Sequence, residues 1–312
     1  MVACTKYSTA SKITWDDFVK HSKTPLFFFN RDFLEYHADR FEDCSLMFYE
    51  GECLVAVLPA SAHGKELVSH GGLTYGGLIL SSKIRAEKVL DIFSSLVDFA
   101  KLNNFERIIY KSVPYIFYKQ GAQEDAYALF RHDATLYRRD LSSVVYLNNR
   151  MPLSKGRKWL IARAKKHSLT ATTSENWLQF YDLLTVSLGK HSAKPVHTPE
   201  ELKLLFSFFP ENISLRVVEK EGALLAATLL FKFDGVTHTQ YMATNDQGKE
   251  VGALDYLIES CIEESKVLGD EYFSFGVSTE EQGLYLNSGL ISQKESFGAR
   301  GMVVDFYEIL SK

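Results

Sequence analysis

The chain has 312 residues, 46% of them apolar and 24% charged, and a net charge of −4. That length suits two domains and that composition a soluble globular protein. The slight acidity offers no overall attraction to DNA or to an anionic membrane, so a polyanionic ligand has to be met by a local basic patch.

From the start of the chain, "MVACTKYSTASKITWDDF" has no apolar signal core and "PLFFF" is too short to cross a bilayer. A cytoplasmic protein without a transmembrane segment is expected. The 22 Phe and 16 Tyr supply large buried surfaces or the walls of a cleft. The four cysteines, Cys4, Cys44, Cys53 and Cys261, have no C-x-x-C spacing, which excludes a zinc ribbon or a thioredoxin-like motif.

"FYEGECLVAVLPA", Phe48 to Ala60, reads as strand, turn and alternating apolar strand. A two-residue turn at Glu50-Gly51 would set Cys53 against Phe48 and Cys44 against Val57. The two cysteines are then not opposed, and free thiols in a reducing compartment are expected.

"HGGLTYGGLIL" follows, placing His70, Gly71, Gly72, Tyr75, Gly76 and Gly77 at the mouth of a strand centred on the tyrosine. Glycines there admit a ligand or another backbone. Both a cleft wall touching an acceptor and a bulged, tightly packed strand fit. "IRAEKVLDIFSSLVDFAKLNN" is an amphipathic helix, with Val89, Ile92, Phe93, Leu96 and Phe99 at helical spacing, and "ERIIYKSV" a further strand.

A turn-rich join at Asn148 to Pro152 divides residues 1–150 from 151–312. A basic helix comes next, with Lys155, Arg157, Lys158, Arg163, Lys165, Lys166 and His167. It reads as a phosphate-binding face, for a nucleotide-linked acceptor or an RNA, or as a solvated helix face. "HSAKPVHTPEEL" holds His191, Lys194 and His197. His197 is a candidate general base or a surface residue. In the same string Thr198, Pro199 and Glu201 spell a capping box for a helix that Pro210 ends.

The second part then repeats the first at an offset of roughly 170 residues, about one domain length. "VEKEGALLAATLLFK" repeats the hairpin, and "THTQYMATN" the strand centred on a tyrosine. Tyr241 can bond a substrate or sit in the core. "ALDYLIESCIEESKVLG" repeats the long helix, with Leu254, Leu257, Ile258 and Cys261 on one face and Gly269 as its stop. In "FSFGVSTEEQGLYLNSGL", Ser278, Thr279 and Glu280 end a strand, or Ser278 or Thr279 caps a helix through Glu281 or Gln282. Each half is therefore helical elements, an antiparallel meander, a helix and a strand. This is an α+β class rather than a doubly wound sheet. No Gly-x-Ser-x-Gly elbow, Walker loop or His-Glu-x-x-His is present, which leaves hydrolase, NTPase and zinc-protease readings without support.

The duplicated frame and four strings, "HGGLTYGGLIL", "KGRKWLIARAKKHSL", "PVHTPEEL" and "LNSGLISQKESFGAR", resemble the Fem family from about Trp15 to Tyr307. These are tandem GNAT-fold aminoacyl and acyl transferases that build peptidoglycan bridges, with their bacterial relatives. The resemblance implies two GNAT-like halves with mixed, mostly antiparallel sheets, and an active site between the halves built mainly by the second. "QKESFG" resembles the family's Phe-Lys-x-x-Phe-Gly string, with Gln293 in place of the first phenylalanine. The resemblance implies Lys294 beside the reacting carbonyl, where an ammonium stabilises the tetrahedral oxyanion. Phe297 is carried over with it. In the family, strand ends like that at Ser278 border the acyl channel, and His70, Tyr75 and Tyr241 would line the acceptor side.

The implied activity is transfer of an acyl or aminoacyl group to an amine of a cell-envelope sugar or peptide precursor. No metal and no tightly bound cofactor are expected; the donor is aminoacyl-tRNA or acyl-CoA, the acceptor an amine, nucleotide-linked if the basic helix binds phosphate. Two alternatives stand beside it: an acetyl-CoA-dependent N-acetyltransferase of a small molecule, and a catalytically idle GNAT-fold binding protein. The coiled-coil arm of several bridge-building members is missing between Lys155 and Glu200. "NDQGKEVGALDYLIES" resembles the coenzyme A loop Gln/Arg-x-x-Gly-x-Gly/Ala, with Gln247 and Gly252 in place but Glu250 at the middle glycine. There the helix is expected to form without the coenzyme A site.

Overall fold

The computed structural model describes residues 2–190 and 193–311. The chain forms two compact units, one of Met1–Asp140, Glu281–Leu284 and Val303–Lys312, the other of Leu141–Glu280 and Tyr285–Met302. The single boundary expected at 150/151 is thus replaced by an interleaved one. Its physical cause is strand pairing: Phe306 to Leu310 of the C-terminal strand Arg300–Leu310 lie antiparallel to Lys111 to Arg107 of the first unit.

In the first unit, β1 (Ala3–Lys6), β2 (Leu46–Glu50), β3 (Cys53–Leu58) and the short β6 (Ile79–Leu80) form an antiparallel meander in that spatial order. Between β3 and β6 a hairpin intervenes, β4 (Ser61–His63) and β5 (Glu66–Val68). Helix α1 (Ala86–Leu102) buries Val89, Ile92, Phe93 and Leu96 as its periodicity requires. It leads to β7 (Arg107–Lys111), which pairs in parallel with β5. Helix α2 (Glu124–Arg131) and β8 (Thr135–Tyr146) follow.

Two local expectations are corrected. Glu50 pairs with Cys53, so the hairpin turns at Gly51-Glu52, with positive φ at Gly51. A bulge between Phe48 and Tyr49 then sets Met47 against Val57. Cys44 is buried, Cys53 exposed, and both are free. Tyr75 is not in a strand: only Ile79 and Leu80 reach the ladder. The glycines ahead of them are pressed against other groups, a Cβ at Gly76 meeting the Ser69 carbonyl at 2.8 Å and one at Gly77 the Tyr110 hydroxyl at 2.7 Å.

The second unit repeats the plan. Helix α3 (Lys155–Lys166) and β9 (Ala171–Ser174) come first, then α4 (Trp177–Gly189) and α5 (Pro199–Phe208). The Thr198–Glu201 capping box forms in both directions. The meander β9, β10 (Ile213–Lys220), β11 (Ala223–Phe233) and β12 (Val236–Thr244) is antiparallel throughout. At its hairpin Glu221 and Gly222 both have positive φ, the two-residue turn that suits the strand twist. A short helix α6 (Asp246–Val251) is broken from α7 (Ala253–Val267) by left-handed Gly252. Then come β13 (Tyr272–Val277) and α8 (Ser288–Glu295). This α8 is capped by Asn287, not by Ser278 or Thr279. The four-strand meander, long helix and following strand recur in the same order in both units, with Val55 and Leu225 on corresponding strands β3 and β11. The core of this unit gathers Val218, Leu225, Leu230, Leu257, Ile258, Ile262 and Phe273.

Candidate active site

In the second unit, β12 and β13 run parallel only from Val236–His238 against Tyr272–Ser274. Beyond Ser274 the ladder of β13 with β8 slips, Ser274 facing Val144 but Val277 facing Ser142. This bulge contains Gly276, whose φ of 71° is left-handed. A bulge leaves backbone groups outside the ladder. Here the carbonyls of Gly276 and Val277 turn to one side chain, Lys294 from the last turn of α8, at 2.9 and 2.6 Å.

Lys294 is 2% exposed. Burial brings its ammonium down from 10.5 to about 7. An ammonium has three donors and two are spent on the carbonyls. The third has no acceptor among the described residues. His238 lies alongside, its ring 3.3 Å from where a Cβ on Gly276 would stand. Its Nδ1 is 3.0 Å from Ser274 Oγ, and burial first, then Lys294, lower its pKa to about 4. It is neutral, so the site holds one titrating cation rather than two. Ser278, next after the Val277 carbonyl, is buried, and its hydroxyl has no partner among the described residues. Phe297 stacks on Phe275 at 5.6 Å and is fully buried.

Beneath Phe297 sits Arg157, its guanidinium 4.0 Å from the ring centre. It pairs with Asp255 in the first turn of α7 and donates to Ser296 Oγ at 2.7 and 3.0 Å. Arg157 read as part of a phosphate-binding face or of a solvated helix face; its charge is instead committed inside the unit, where a buried Asp255 needs a cation. Lys155 and Lys158 on the same helix are exposed. Tyr241 Oη bonds His197 Nδ1 at 2.8 Å and accepts Val196 N–H at 3.2 Å, tying down the segment before α5. His197, a candidate surface base, is buried. His191 lies outside the described residues.

His70 and Tyr75 belong to the first unit. His70 has φ of 47°, accepts Gly72 N–H at Nδ1 and gives its carbonyl to Lys111 Nζ at 2.8 Å. Burial, then His37 and Lys111, lower its pKa to about 3. Tyr75 is packed between Phe28 and Phe117, its buried hydroxyl without a partner among the described residues.

Of the residues singled out from sequence, Lys294, Ser278 and Phe297 gather around the bulge of β13, with Arg157 behind Phe297. His238 and Asp255 were missed. The signal for His238 was the polar "THTQ" in a strand that had to be central. Asp255, an acid on the apolar face of a helix, signalled a buried cation.

In the loop that resembles a coenzyme A site, two of the backbone donors are used by Asn245. Gly248 N–H goes to Asn245 Oδ1 at 2.7 Å and Lys249 N–H to the Asn245 carbonyl at 3.0 Å. Gly248 packs so closely that a Cβ there would stand 2.2 Å from the Leu225 carbonyl.

Residues 148–282 match the family model of the acetyltransferase (GNAT) domain. No curated protein matches the chain by sequence. Among solved structures, the chain is similar to FemX, with TM-score 0.69 and 10% identity over 98% of this chain and 97% of that one. It is also similar to L-PGS from Bacillus licheniformis, with TM-score 0.65 and 13% identity over 98% and 93%. A tandem GNAT protein from the clavulanic acid biosynthesis pathway gives TM-score 0.54 and 10% identity over 100% and 99%. The fold is the tandem GNAT fold, and the family-model match falls almost wholly in the second unit. No helix among the described residues is long and apolar enough to cross a membrane.

Proposed function

We propose that this tandem GNAT-fold chain is an N-acyltransferase that moves an acyl or aminoacyl group to an amine of a cell-envelope sugar or peptide precursor, with Lys294 as its catalytic residue. The observation that carries the reading is the geometry of Lys294: a desolvated ammonium fixed by two bulge carbonyls, with one donor left over. Attack of an amine on an ester or thioester makes a tetrahedral oxyanion. A donor already oriented in a dry site stabilises that charge without reorganising as it forms. A pKa of about 7 also lets the same group release and regain a proton near neutrality. Ser278 Oγ, buried and unbonded among the described residues, is a second polar group for the substrate. Phe297 holds the α8 end against Phe275, and Arg157 supports Phe297 from below.

The acceptor class rests on the resemblance to the Fem family, and an aminoacyl donor is favoured over coenzyme A by the Asn245–Gly252 segment. In that segment Asn245 occupies the N–H groups of Gly248 and Lys249. Exposed Glu250 adds a negative charge there.

The test is a transfer assay that offers aminoacyl-tRNA or acyl-CoA as donor and amine-bearing envelope precursors as acceptor. Turnover with wild type, lost on Lys294→Met, supports the reading. No transfer from any donor, or undiminished turnover in the variant, overturns it.

A further inference from the structure

The first unit contains a cavity of about 190 Å3 that the acyl-transfer reading does not use. Its lining includes Asp125, Gln123, Asp305 and three tyrosines, Tyr115, Tyr118 and Tyr307. Asp125 stands in the first turn of α2 and is 5% exposed. It accepts a hydrogen bond from Tyr110 Oη at 2.6 Å and from Ala126 N–H at 2.7 Å. Neither partner carries a charge. The other acids nearby are neutralised: Asp305 takes both arms of Arg139, at 2.6 and 2.8 Å, and Glu124 takes Lys23. Asp125 is left as a buried carboxylate balanced only by neutral donors, on the wall of a cavity.

Two of the tyrosine hydroxyls are turned to internal acceptors. Tyr118 Oη donates to the Val113 carbonyl at 2.7 Å and Tyr307 Oη to Asp305 at 3.4 Å. What these side chains add for a ligand is ring surface. A carboxylate with aromatic faces around it attracts a cation, electrostatically through the acid and through the ring quadrupoles. An anion would be repelled. A multivalent metal ion would need several hard oxygens, and among the described residues no group of three His, Cys, Asp or Glu could hold one. The volume is below that of a drug-sized pocket and suits an ammonium head with a few carbons.

We propose that this cavity is a binding site for a small organic ammonium, a primary amine or a methylated ammonium group, with Asp125 as its counter-ion and Tyr115, Tyr118 and Tyr307 as its aromatic wall. The site stands whether or not the second unit transfers an acyl group.

The probes are n-propylammonium and tetramethylammonium, with n-butanol as the neutral control, titrated into the full chain by calorimetry or protein NMR. At pH 8 an ammonium should bind at least tenfold more tightly than butanol. Asp125→Asn, which keeps an acceptor for Tyr110, should remove that preference. The exposed ring of Tyr115 allows a milder variant, Tyr115→Ala, which should weaken the ammonium severalfold and leave butanol unchanged. Burial lifts the Asp125 carboxyl to about 6. Tyr110, Tyr118, Tyr307, Glu124 and Asp305 are the other titratable groups facing it. Affinity for the ammonium should therefore fall as pH drops below about 6, close to tenfold per pH unit. Equal binding of butanol and ammonium, or ammonium binding that ignores pH in wild type, overturns the proposal. So does unchanged affinity in a folded Asp125→Asn protein.

Discussion

Replacing Lys294 by methionine should change how stability depends on pH, and the size of the change follows from its burial. In the unfolded chain an ordinary lysine holds its proton up to about 10.5, whereas in the folded unit Lys294 releases it at about 7. A folded pKa below the unfolded one means that the unfolded state binds more protons between those values. Wild-type stability therefore rises with pH from about 7 and stops rising near 10.5. Each pH unit of full linkage is worth about 1.4 kcal/mol, and the first is only partly realised because the group is half titrated at its own pKa. From pH 7 to 9 the wild type should gain about 2 kcal/mol relative to Lys294→Met. Other groups that titrate in this range, such as Lys111, which burial lowers to about 8, are in both proteins and cancel in the difference. The absolute offset at one pH is less informative, since the methionine also leaves the Gly276 and Val277 carbonyls unpaired, at roughly 1–3 kcal/mol each. The assay is urea unfolding of both proteins at pH 7, 8 and 9. A difference that stays flat across that range would show an ordinary, solvated lysine and refute the argument for a poised ammonium.

Once a donor and acceptor pair is found, Lys294→Met should cost on the order of a hundredfold or more in turnover, with a smaller effect on KM. Millimolar acetyl-CoA should leave the melting temperature unchanged. A ligand held at a hundred times its Kd would add about 2.7 kcal/mol, so a rise of a few degrees that disappears on mutating Gly248 or Asn245 would restore a coenzyme A site. Arg157→Met should destabilise the second unit by about 3–5 kcal/mol, because it strands Asp255 without a cation. Arg157→Met paired with Asp255→Asn should recover much of that loss in denaturant unfolding; no recovery would mean that Arg157 acts mainly through its packing on Phe297.

Much of the architecture could be read in the residues because both periodicity and duplication are local signals. The hairpins, the long helices α1 and α7, and the Thr198 cap each depend on a few adjacent positions. What escaped was set at a distance. The strand expected around Tyr75 is reduced to Ile79 and Leu80, and Gly77 just before them is packed against Tyr110 of β7. Arg157 read as one of a basic run, but the acid that claims it is 98 residues away. The turn at Gly51-Glu52 moved by one residue because a bulge takes up the slack two positions earlier. At the site, the string around Lys294 pointed to the residue. Only folding could show that its partners are two carbonyls freed by a slipped ladder.

The hairpin β4–β5 sets the two copies of the plan apart. In the second unit the parallel neighbour of β13 is the last meander strand, and the two strands separate after three residues. In the first unit β7 takes its parallel neighbour from the hairpin, Glu66 to Val68 against Arg107 to Ile109, while the last meander strand pairs with β3 and not with β7. Backbone thus occupies, in one copy, the position at which the other divides.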